Sequence, residues 1–213
     1  MKFESFLNIM DILLGENGCP WDKEQTHESL RQYLLEECYE VLEAIDNNDM
    51  IALQEELGDM LLQVVFHAKL AEKTDVFTVD DVIAGVSHKL TSRHTHVFGS
   101  DKALSAEDVV QVWEANKQKE QQLSPVQAMV AVPKALPALM RASKVLKRAP
   151  HDNPSADTLY NSLHTSLDNL AMAKAGHEEI LGGMLLELVN LANALKVNPE
   201  LALISAVEGV IQG

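Results

Sequence analysis

The sequence predicts an all-α helical bundle, and three observations carry that prediction. Hydrophobic residues make up 46% of the chain and aromatics only 5%, so the core is built from Leu, Val, Ile, Ala and Met, as in packed helices. Apolar residues recur at helical spacing in one segment after another. Two carboxylate pairs, Glu37 with Glu40 and Glu56 with Asp59, stand three residues apart beside apolar stripes. On a helix such residues share a face about 5 to 6 Å apart. At 213 residues the chain can form one large domain or two small ones, with a core in either case.

Phe3, Phe6, Leu7, Met10, Leu13 and Leu14 give a first amphipathic helix, stopped by Gly15 and Gly18. The N-terminal stretch lacks the pattern of a secretory signal, and no run reaches the roughly 18 apolar residues that span a membrane. The expectation is a cytoplasmic protein. The loop from Cys19 to His27 follows, and its Trp21 either covers a nucleobase or plugs an end of the bundle. Thr26 or Ser29 is placed to cap the next helix. Cys19 and Cys38 are too few for a disulfide scaffold and read as buried or partly buried reduced thiols.

Leu30, Leu34, Cys38, Val41 and Ile45 form the stripe of the second helix, with Glu37 at its edge, Glu40 on the same flank and Glu36 nearly opposite. Asp46 to Asp49 is a turn by composition. The third helix has a stripe of Leu53, Leu57, Met60, Val64 and Ala68, flanked on one side by Glu56, Asp59, Gln63 and His67. Gly58 predicts close approach of another helix, because Gly inside a helix costs about 1 kcal/mol relative to Ala. Leu62 and Phe66 point away from the stripe, which predicts a second buried face against another copy of the chain. That makes a homo-oligomer, a dimer in the simplest case.

If these two helices pack antiparallel, the four carboxylates converge. Partly desolvated, mutually repelling carboxylates require a cation or a proton. Hard oxygen donors of this kind suit Mg2+, with Mn2+ as a substitute. EExxE alone is common in acidic chains, and it is the second pair on the next helix that makes the metal reading specific.

A fourth helix opens at Thr78 or Asp80 and carries Val82, Ile83, Val86 and Leu90. Lys89 and Arg93 share its face near the C-terminal end, where they suit two contacts to a polyphosphate or simply answer the helix dipole. His94 and His96 read as capping or phosphate contacts. The net charge of -15 makes a nucleic-acid backbone an unsuitable partner.

CPWDKEQTH, LLEECYEVLEAI, EELGDMLLQVVFHA and KLTSRHTHVFG, in this order and spacing, resemble the MazG family of nucleoside triphosphate pyrophosphohydrolases. The resemblance is strong over residues 1 to about 120 and continues weakly to the end. It departs from the family at Thr95, where Pro is usual. It implies an all-α bundle that uses magnesium to cut a nucleoside triphosphate between the α and β phosphates, giving the monophosphate and pyrophosphate. By position it implies Glu37, Glu40, Glu56 and Asp59 as metal ligands and Lys89 and Arg93 as triphosphate contacts. Trp113 and Lys117 match residues that cover the substrate, although Trp113 fits a bundle-edge core position equally well. Glu36, four residues before Glu40, can reach a water held by the cation and is a candidate general base. Two other readings compete: a related hydrolase restricted to one nucleotide, such as a pyrimidine deoxynucleotide or an alarmone, and a non-catalytic nucleotide-binding scaffold.

Beyond residue 120, Gln118 to Gln122 is polar and Ser124-Pro125 marks a linker. A short helix is expected from Val132 to about Arg148, then a loop at 151–154. The last sixty residues read as a worn copy of the first repeat. Leu181 to Ala192 aligns with Leu57 to Ala68, with Ile180 and Gly183 in place of Glu56 and Asp59. Leu163 to Ala173 overlays Leu34 to Ala44, with Ser166 and Asn169 in place of Glu37 and Glu40. The expected organisation is a catalytic module at 1–122 and a degenerate second module at 123–213.

Overall fold

The computed structural model describes residues 2–150 and 154–213. All the regular secondary structure of the described residues is α-helical, with no strand among them. It divides into two compact units, 1–116 and 117–213. The expected loop at 151–154 lies largely outside the described residues.

The first unit holds α1 (Lys2–Leu14), α2 (Pro20–Glu24), α3 (Arg31–Asp46), α4 (Met50–Glu72), α5 (Val79–Arg93), α6 (Thr95–Phe98) and most of α7 (Ala106–Gln121). Its core is Met10 and Leu14 of α1, Leu30 before α3, Val65, Phe66 and Ala68 of α4, and Val79 of α5. α3 and α4 form the dominant helix pair, and α1 and α5 both pack on α4. Side-chain caps fix several helix starts. Asp49 accepts from the backbone N–H of Ile51 and Ala52 at 3.0 Å each, and Thr78 and Asp81 form a reciprocal capping box at α5.

Several expectations are corrected here. Thr26 and Ser29 bond each other's backbone N–H across the turn before α3, whose own N-cap, Leu30, has no side-chain cap. Pro20 starts a short helix where a loop was expected, since Pro is preorganised for the first helical position. On α3, Cys38 and Ile45 are exposed and Ala44 takes the buried position. On α4, Phe66 belongs to the core and Leu62 packs against it, while Leu57, Leu61 and Val64 stay 52%, 42% and 42% exposed. The open apolar residues of α4 are therefore Leu57, Leu61 and Val64, whereas Ala68 of the predicted stripe is buried and Leu62 and Phe66, expected to face another copy, pack in the unit's own core. A Cβ on Gly58 would meet nothing within 4 Å, so no close helix approach explains that glycine.

The second unit holds α8 (Pro125–Val130), α9 (Ala138–Leu146), α10 (Ala156–Met172), α11 (His177–Ala194) and α12 (Pro199–Gln212). α8 occupies the expected linker, capped by a Ser124–Gln127 box, and α9 is shorter than expected because Pro133 and Pro137 delay its start. Leu159, Leu163 and Leu191 form its core, and α10 with α11 is its dominant pair. Among the described residues, no single helix is long and apolar enough to cross a membrane.

Candidate functional site

The α3–α4 hairpin turns through Asn48, which holds a left-handed φ of +54° that Asn tolerates better than most residues. Its N–H and that of Asp49 satisfy the Ile45 and Ala44 carbonyls at 3.0 and 2.9 Å. A turn this tight sends α4 back along α3, and the buried Leu30, Val65 and Phe66 fix the register. Glu37 of α3 then meets Glu56 and Asp59 of α4.

One carboxylate oxygen from each of Glu37, Glu56 and Asp59 lies within 4.8 Å of the other two, and the three residues are half-buried. Glu40 is exposed and outside this triplet, though near enough for its charge to act on Glu37. Glu36 is exposed and does not enter the group. Partial burial, followed by the charges of Asp59 and Glu40, raises the Glu37 carboxyl above its ordinary value. Loss of solvent and the neighbouring Glu40, Glu55 and Asp59 do the same for Glu56. Convergent oxygens that resist ionising together fit a divalent cation, since such an ion offsets the repulsion and takes hard donors.

Farther along the same flank of α4, Gln63 is 6% exposed and its Oε1 has no hydrogen-bond partner among the described residues. One turn on, His67 stacks on His27 with ring centroids 5.1 Å apart and planes at 8°. Their Nδ1 atoms are 2.8 Å apart, so one imidazole donates to the other. Burial and then His27 lower the pKa of His67. Sequence reading placed His67 on this flank but did not pair it, because its partner lies forty residues away in the loop before α3.

The cationic residues stand on α5, which packs on α4. Lys89 is exposed. The Arg93 guanidinium lies 5.3 Å from the Trp113 ring centroid, and His94 meets the same ring edge-on at 4.8 Å. Trp113 is thus held between a cation and an imidazole. Asn116 Nδ2 donates to Thr95 Oγ1 at 2.8 Å, and Thr95 Oγ1 donates to Asp101 at 2.6 Å. The hydroxyl at the departure from the family pattern thereby ties the 94–101 turn to α7. His94 Nδ1 bonds the Leu90 carbonyl at 2.8 Å, a helix-end contact as expected, while His96 Nδ1 is buried without a partner among the described residues. Trp21 is 50% exposed and meets Tyr33 edge-on at 5.8 Å, so it leaves a face open rather than plugging the bundle. Lys117 is half-buried one turn beyond Trp113 on α7, at the first position of the second unit.

The family model for the MazG nucleotide pyrophosphohydrolase domain matches residues 25–98, the span that contains the three clustered carboxylates, Lys89 and Arg93. A Thermotoga maritima protein named nucleoside triphosphate pyrophosphohydrolase/pyrophosphatase MazG is 38% identical over 99% of this chain and 83% of its own length. The Escherichia coli K12 protein named nucleoside triphosphate pyrophosphohydrolase is 40% identical over 97% of this chain and 83% of its own. The Bacillus subtilis 168 protein YabN, uncharacterized by name, is 43% identical over 95% of this chain, which spans only 43% of that longer protein.

Proposed function

The chain belongs to the MazG family of nucleotide pyrophosphohydrolases, and from that premise we propose that it cuts nucleoside triphosphates between the α and β phosphates in a magnesium-dependent reaction. The products are the nucleoside monophosphate and pyrophosphate. The observation that carries this reading is the convergence of Glu37, Glu56 and Asp59 within 4.8 Å.

Those three carboxylates would hold Mg2+, or Mn2+ in its place, and the charge of Glu40 beside Glu37 would add to the pull on the cation. The ion, when bound, supplies charge neutralisation on the phosphate oxygens and an oriented water. Glu36 lies outside the triplet on the exposed side of α3, so it would act as general base only on a water reaching beyond those ligands. Lys89 and Arg93 hold the triphosphate, and the Trp113 ring fixes the direction of the Arg93 guanidinium. Trp21 and Lys117 cover the substrate. A chain of net charge -15 gains an anionic ligand through such cations.

The reading extends to a cytoplasmic homodimer that joins through apolar stripes left open on the helices. Leu57, Leu61 and Val64 of α4 are spaced along one side. The residues 124 positions later, Leu181, Leu185 and Leu188 of α11, are exposed in the same register, and Val189 is buried as Val65 is. This repetition supports a second, degenerate module. There Ser166, at the place of Glu37, donates to Glu187 at 2.9 Å, and Ser162 donates to its other oxygen at 2.7 Å. A carboxylate satisfied by two hydroxyls has no need of a cation.

The test is product analysis on a panel of ribo- and deoxynucleoside triphosphates with and without magnesium. Monophosphate plus pyrophosphate, formed only with the metal, is the expected result. Diphosphate plus orthophosphate, or turnover indifferent to chelator, would overturn the assignment.

A further inference from the structure

We propose that the cleft between α9, α11 and the start of α12 is a second anion site, which binds condensed phosphate: pyrophosphate or the polyphosphate end of a nucleotide. The cleft encloses about 440 Å³, within the range of small-ligand pockets. Lys144, Lys147 and Lys196 line it together with Ser143, Asn193 and Asn198, and no acidic residue does among the described residues. Neither Lys144 nor Lys147 makes an ion pair among the described residues.

Comparison of the two units within the chain gives this grouping its meaning. In the first unit the corresponding groove lies between α1 and α4, and it neutralises itself: Lys69 Nζ reaches Asp11 at 2.7 Å and Glu72 at 2.9 Å. In the second unit α9 packs on α11 as α1 packs on α4. Asn193 and Lys196 stand 124 positions after Lys69 and Glu72, and Lys144 follows the buried Ser143 as Asp11 follows the buried Met10. The central cation has become an amide and both carboxylates have become lysines. The residues lining the groove have changed from a set of mixed charge to one with lysines and no carboxylate among the described residues.

Three further facts agree. Residues 1–116 hold 8 basic and 23 acidic residues, whereas 117–213 hold 9 of each, so the whole net charge sits on the first unit and the second does not repel an anion. Lys196 adopts a left-handed φ of +59°, a conformation that favours glycine, and its side chain lines the cleft from that position. α12 begins at the cleft, with Asn198 capping it, so the positive end of a 14-residue helix faces the same space. Glu200 of α12 is not among the residues lining the cleft, and its carboxylate accepts from the Met140 N–H at 3.3 Å. No aromatic side chain lines the cleft to stack a base, and lysines bind phosphate as point charges, so the phosphate chain itself is what is recognised.

The experiment is calorimetric titration of the full chain in excess EDTA, which removes the metal from the first unit and makes the result independent of turnover. The ligands are pyrophosphate, ATP, orthophosphate and adenosine. Pyrophosphate and ATP are expected to bind saturably within about tenfold of each other, orthophosphate more weakly and adenosine not at all. Lys144→Asp with Lys196→Glu, which restores the charges of the first unit, should weaken pyrophosphate binding at least tenfold. Lys89→Gln with Arg93→Gln should leave that binding in place. Lys144→Gln with Lys147→Gln, at two exposed positions, gives a milder version whose fold is checked by thermal melting. Pyrophosphate binding unchanged in both lysine pairs, its loss in the Lys89/Arg93 pair alone, or equal affinity for adenosine and ATP would overturn the proposal.

Discussion

Asp59 and Glu40 occupy different places around the same cluster, and this separates what spacing tells from what packing decides. Both were legible as members of i, i+3 pairs, because helix geometry fixes which residues share a face. That Asp59 lies inside the triplet while Glu40 stays outside it depends on how α3 crosses α4, which no local pattern encodes. Asp59→Ala and Glu40→Ala should each lower magnesium-dependent turnover on the order of 100-fold or more, with circular dichroism unchanged; full activity in both would remove the site. Titration gives a second check. Glu37 and Glu56 hold their protons more tightly in the folded chain, so their contribution to stability is greatest at low pH and declines as pH rises from the ordinary carboxylate value through the raised one. Magnesium relieves that repulsion only when the groups are ionised. The rise in Tm on adding magnesium should therefore be larger at pH 7 than at pH 4, and equal shifts would contradict the assignment.

At the scale of elements, the periodicity of α4 announced a helix but not which of its sides would be buried. Its apolar residues surround most of the axis, and the choice is made by Met10 and Leu14 of α1, some fifty residues earlier in the chain. That is why Phe66 is 4% exposed while Leu61 remains open. The same limit hid the His27–His67 contact, which ties the turn ahead of α3 to the last third of α4. Its hydrogen bond needs one neutral ring, and the pKa of His67 is lowered in the folded chain. Its contribution is therefore fully present above the ordinary histidine value of about 6.5 and is lost as pH falls through the lowered one. Denaturant unfolding of the wild type should lose stability from pH 6.5 downward, and His67→Phe should flatten that part of the profile. A variant with the wild-type slope would show that the pair does not hold the loop.

For the whole molecule, the proposed division of labour between the units leads to a prediction about truncation. The acidic cluster, Lys89 and Arg93 all lie in residues 1–116, which hold their own core. The second unit keeps the helix-pair scaffold but has Ser166, Asn169, Ile180 and Gly183 where the carboxylates would be. The proposed repeat rests in the sequence on Gly182, Leu185 and Val189, which keep register with Gly58, Leu61 and Val65. The charge reversal of its cleft was not visible there, because it involves three helices that only folding brings together. A chain ending after Gln122 keeps α7 whole and removes one of the two exposed apolar stripes. Such a chain should bind magnesium within about threefold of the full protein, since its ligands are untouched and contexts vary by such factors. Its Tm should fall, and sedimentation should show a weakened or altered oligomer. If magnesium affinity instead collapses while helicity per residue is retained, the second unit must help to position the α3–α4 hairpin. The acidic cluster would then belong to the whole molecule rather than to its first half.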